Sequence, residues 1–109
     1  MLKEIKPFTI KLNVGGNDYW LKIEQEYISD QIERFKISGM KHSFIMLQSN
    51  RPYLRLKGLK RKKIDWKLIE GTVHNASALE MLLNEMTDHI YKIENPAPDW
   101  KDHPKKIGM

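Results

Sequence analysis

The chain reads as an α+β protein: an antiparallel meander of five or six strands with one C-terminal helix packed on one face. Three observations predict it. Short segments in which apolar and polar residues alternate recur through the first two thirds of the sequence. The connectors between them are short enough to favour antiparallel neighbours. Only one segment, Asn75 to Ile93, has the length and period of a helix of several turns.

Phe8, Ile10, Leu12 and Val14 alternate with Thr9, Lys11 and Asn13, the period of a strand with one buried face. Gly15-Gly16-Asn17-Asp18 marks a tight turn, after which Tyr19, Leu21 and Ile23 alternate with Trp20, Lys22 and Glu24 to complete a hairpin. No Gly-x-Gly-x-x-Gly or Walker spacing follows the glycine pair, so it reads as a turn and not as a phosphate cradle. Tyr27 to Gln31 fits neither period. Phe35 and Ile37 then alternate with Arg34, Lys36 and Ser38, and Gly39-Met40-Lys41 forms the next turn. The continuous run Phe44-Ile45-Met46-Leu47 predicts a central strand covered on both faces for part of its length. Beyond Asn50-Arg51-Pro52, Tyr53 to Lys57 reads as a strand with Leu54 and Leu56 inward. Gly58 to Lys63 reads as a basic connector, and Ile64, Trp66 and Leu68 as the last strand.

In the helix, Leu79, Leu82, Leu83, Met86, Ile90 and Ile93 form one apolar stripe, with Leu82, Leu83 and Met86 expected deep against the sheet. Ser77-Ala78-Leu79-Glu80 resembles a capping box, with Asn75 as the alternative cap. Asn95-Pro96 ends the helix. Pro96, Pro98 and Pro104, set among charged residues, predict an extended tail, so residues 1–95 are expected to form one domain and 96–109 a Pro-rich C-terminal segment pinned by Trp100.

With 109 residues, 40% hydrophobic and 30% charged, the chain has enough apolar volume for one core. It has no cysteine, which excludes disulfides and thiolate metal sites. The opening residues hold no signal-like apolar run and no segment approaches the ~18 apolar residues of a membrane span, so the expected compartment is the cytoplasm. His42, His74, His89 and His103 include no His-x-x-x-His pair, and Asp88 and His89, adjacent in the helix, point in different directions. No nucleophile–base or metal spacing emerges, so the expectation is a non-enzymatic protein without a cofactor.

The net charge of +5 is unevenly placed. Arg51 to Lys67 holds eight of the 19 basic residues and one acid, Asp65, leaving eleven basic and thirteen acidic residues elsewhere. Sorting each strand by parity leaves Lys11, Lys22, Arg34, Lys36, Arg55, Lys57 and Lys67 on the solvent face, with the rings of Trp20 and Tyr53 among them. The helix's outward side carries Glu80, Glu85 and Asp88. Four consecutive cations, Lys60-Arg61-Lys62-Lys63, stand in a loop where like charges repel unless an anion is present. Basic residues beside flat rings on an open sheet suit single-stranded nucleic acid, cations tracking phosphates while rings stack on bases. The expected interface is therefore Trp20, Lys22, Arg34, Lys36, Arg55, Lys57, Lys60, Arg61, Lys62, Lys63 and Lys67. The competing expectation is a protein-interaction module or homodimer using an exposed strand edge and Trp20, with the cations as ordinary solvent-face residues.

Overall fold

Gly15 and Gly16 have φ of 61° and 85°, a positive pair that only glycine adopts freely, and Val14 pairs with Asn17 directly across them. This two-residue turn joins β1 (Phe8–Val14) to β2 (Asn17–Ile28). The computed structural model describes residues 4–39, 43–59 and 62–95. β3 (Glu33–Ser38), β4 (Phe44–Ser49) and β5 (Trp66–Glu70) follow, and all neighbours are antiparallel in the order β1-β2-β3-β4-β5. The sheet is thus a five-stranded meander.

Tyr27, left unassigned by periodicity, belongs to β2. The strand carries an irregularity between Gln25 and Tyr27 that resets the register, which is why its alternation breaks there. A Ser29 turn follows, its hydroxyl accepting from the N–H groups of Gln31 and Ile32.

Two of the expected elements are corrected. Arg51–Leu56 is a short helix, α1, where a strand was expected from Tyr53. Pro52 sits in its first turn, where proline costs no hydrogen bond and its fixed φ favours the helix. Leu54 is buried but Leu56 is exposed, as a helical period requires of residues two apart. β4 is also not the central strand. β3 occupies the middle, and only Ile45, Leu47 and Ser49 of β4 face inward, leaving Phe44 and Met46 on the open side.

α2 (Ala76–Glu94) lies across the inner face. Asn75 is its cap, its side chain accepting from the Ala78 N–H at 3.1 Å, so the alternative cap prevails over the capping box. Leu82, Met86 and Ile90 are buried among Ile10, Leu12, Ile23, Phe35, Ile37 and Leu47. Leu79 and Leu83 pack at the margin of that core, and Ile93, at the end of the stripe, is exposed. Trp66 lies beside Phe35 and its indole N–H donates to the Thr87 hydroxyl at 3.1 Å, tying β5 to α2. At the other edge the Phe8 and His89 rings stack, centroids 3.9 Å apart. Gly71, with φ of 88°, lets the chain leave β5 against β4: a Cβ there would stand 2.7 Å from Ile45 Cγ2 and 2.8 Å from the Phe44 carbonyl oxygen. No described helix is long and apolar enough to cross a membrane. The tail from Pro96, including Trp100, falls outside the described residues.

Candidate nucleic-acid interface

Because α2 packs on one face, the other carries no helix among the described residues, and the registers arrange its side chains in rows across the strands. From the hairpin tip inward these are Asn13–Asp18; then Lys11–Trp20; then Thr9–Lys22–Ser38–Phe44; then Glu24–Lys36–Met46–Glu70; then Tyr27–Arg34–Gln48–Lys67. Of the expected interface residues, Trp20, Lys22, Arg34, Lys36 and Lys67 therefore share this face. Three rings on it, Trp20, Tyr27 and Phe44, are 40–55% exposed. Each has a cation within cation–π reach: Lys11 Nζ at 5.6 Å, Arg34 Cζ at 5.3 Å and Lys36 Nζ at 4.8 Å from the respective ring centres. Tyr27 and Phe44 were missed by parity sorting, Tyr27 because the β2 irregularity hides its side and Phe44 because it opens a continuous apolar run.

Acids interrupt the face more than the sequence suggested. Lys11 pairs with Asp18 at 3.6 Å and Lys22 with Glu24 at 3.8 Å, both exposed and worth little to stability. Lys36 shares its row with Glu24 and Glu70. The Tyr27–Arg34–Gln48–Lys67 row contains two cations and no acid, and the Arg34 Nε–H donates to Gln48 Oε1 at 3.2 Å, holding the guanidinium along the sheet. Arg34, Lys36 and Lys67 make no ion pair among the described residues. Lys62 and Lys63 are exposed in the segment that leads into β5, close in sequence to Lys67. Lys60 and Arg61 lie outside the described residues.

Arg55 and Lys57 are not on this face, because the expected strand is α1. Lys57 caps that helix, with its Nζ 5.9 Å from the Tyr53 ring centre. Arg55 is engaged in a buried charge cluster that sequence reading missed. Glu33 is fully buried, and its carboxylate accepts from Arg51 Nε at 2.7 Å, Arg51 Nη2 at 2.6 Å, the Ser49 hydroxyl at 2.6 Å and Gln25 Nε2 at 2.9 Å. Glu94 accepts from Arg51 Nη1 at 2.9 Å and from Arg55 Nε and Nη2 at 2.8 and 2.6 Å. Two carboxylates thus meet two guanidinium groups, joining β3, α1 and the end of α2. Among the described residues one side-chain atom, Arg55 Nη1, is buried without a hydrogen-bond partner.

Burial disfavours the Arg51 charge, but the hydrogen bonds and charges of Glu33 and then Glu94 outweigh it and hold the group above its ordinary pKa. For Glu94, burial would push the carboxyl up, yet hydrogen bonds from Arg55 and Arg51, with their charges, hold it below the usual carboxylate range. A depressed folded-state pKa stabilises the protein above the unfolded value, about 4.3, and that contribution is lost as pH falls through the lower folded value. Acid unfolding of the wild type should accordingly steepen below about pH 4. In Glu94→Gln that part of the slope should be absent, as urea midpoints at successive pH values would register; equal slopes in both proteins would contradict it.

A separate, apolar groove of about 550 Å³ opens on the inner side, between Leu12, Leu21, Ile37 and Ile45 of the sheet and Leu79 and Leu82 of α2. Its polar side chains are Ser43, Thr72 and His74, so it offers little to hold an anion. Comparison of the chain with models of protein families, with curated proteins and with solved structures finds no match.

Proposed function

We propose that this is a non-enzymatic module that binds single-stranded nucleic acid across its open sheet face. The observation that carries the reading is the set of exposed rings on that face, Trp20, Tyr27 and Phe44, each with a cation at its side. Rings accept bases of any identity by stacking, while neighbouring cations track the phosphates. The favoured end of the face is the Tyr27–Arg34–Gln48–Lys67 row, which holds two cations and no acid, with Lys62 and Lys63 exposed in the segment ahead of β5. The exposed acids Glu80, Glu85 and Asp88 of α2 lie on the other side of the molecule, which favours approach of a polyanion from the open face.

Charge and stacking have separable signatures. Arg34→Gln with Lys67→Gln should weaken binding to mixed-sequence single-stranded RNA or DNA and flatten its salt dependence, by up to about 0.7 in slope for each phosphate left without its cation. Tyr27→Ala should cost roughly 1–3 kcal/mol of affinity with the slope retained, because a stacked base releases no counterion. Fluorescence anisotropy across a salt series reads both. Absence of binding by the wild type at low ionic strength, where electrostatic association is strongest, overturns the reading.

A further inference from the structure

Among the described residues, β1 and β5 each have a neighbouring strand on one side only, and an unpaired edge is a template for another strand. The two edges differ in what they offer. β1 carries a single charge, Lys11, and no acid, so no register can set an opposite charge against it in a second β1. β5 reads Trp66-Lys67-Leu68-Ile69-Glu70, with one charge of each sign, and the aliphatic residues between them are 38% and 45% exposed.

A twofold axis perpendicular to a sheet keeps each face on its own side, so in a regular strand it can pair only residues separated by an even number of positions. The irregularity in β5 changes this. Leu68 pairs with Leu47 and Glu70 with Met46, leaving Ile69 as an extra residue between them. Lys67 and Glu70, three apart, consequently lie on the same open face, opposite Gln48 and Met46.

We propose that β5 is the contact with a second copy of this chain, paired antiparallel about a twofold axis between Leu68 and Ile69. In this register Lys67 of each copy stands opposite Glu70 of the other, and Leu68 opposite Ile69. The edge is complementary to itself in both charge and apolar surface. The two sheets become one, and the exposed edge of each β5 disappears. The contact is separated from Trp20 by β3 and β4 and shares Lys67 with the proposed nucleic-acid face, so it is tested in the absence of nucleic acid.

Sedimentation of the full chain without nucleic acid, from low micromolar to near-millimolar concentration, tests this. The wild type should reach the mass of a dimer. Lys67→Glu or Glu70→Lys alone sets two like-charged pairs into the contact and should weaken the dimer on the order of tenfold or more. Both side chains are exposed, so these variants keep the fold. The combined Lys67→Glu/Glu70→Lys chain reverses each pair and should recover the wild-type dimer. A wild type that stays monomeric, one that grows beyond a dimer, single variants without effect, or a combined variant as weak as the single ones each overturns the proposal.

Discussion

Replacing Arg51 with methionine is expected to lower the unfolding free energy by about 3–5 kcal/mol, because it leaves the fully buried Glu33 carboxylate without its two-point cation. The loss is large for a reason of asymmetry. A charge already out of water cannot recover its hydration when its partner is removed, whereas removing both partners eliminates the debt along with the attraction. Arg51→Met combined with Glu33→Leu should therefore be distinctly more stable than Arg51→Met alone, although Ser49 and Gln25 then lose their acceptor. Urea denaturation of the three proteins gives the comparison. A single variant as stable as the wild type would mean that water reaches Glu33, contrary to its burial.

That cluster also shows how far the sequence could be read. β1, the first part of β2 and α2 were legible because their periods are undisturbed and their ends carry turn or cap residues. The parity that sends Phe35 and Ile37 inward also sends Glu33 inward, and Ser49 shares the parity of Ile45 and Leu47, so two polar residues stood at core positions. This was the available signal for the cluster. Arg51 was hidden by the misreading of α1: over five residues Tyr53-Leu54-Arg55-Leu56-Lys57 alternates as a strand would, and one helical turn is too short to display its own period. The better clue was Asn50-Arg51-Pro52, a proline just inside a helix start. Glu94, forty-three residues from Arg51 in sequence, could be matched to it only through the fold.

The candidate site was legible to a similar degree. Trp20, Lys22, Arg34, Lys36 and Lys67 share a face because parity survives in their strands, while Tyr27 and Phe44 join them across an irregularity and an apolar run that parity cannot resolve. Arg55 and Lys57 fell away with the strand that was to carry them. Their basic character is local to sequence; what they do is set by α1.

Met86→Ala should destabilise the protein by about 2–5 kcal/mol, the range for truncating a long side chain in a closed core, since Met86 is fully buried between α2 and the sheet. Leu83→Ala, on the same helix, should cost less than about 2 kcal/mol, because Leu83 lies at the core's margin, where water or neighbouring side chains can fill the space. The sequence alone placed both residues deep, as a 3.6-residue period defines a stripe but not the width of the surface it meets. Thermal and urea unfolding of the two variants test which part of the stripe is covered. A Met86→Ala protein of unchanged stability would put α2 off the inner face. Leu12, Ile23 and Phe35 would then be uncovered, and the face of Trp20, Tyr27 and Arg34 would no longer be distinguished as the open one.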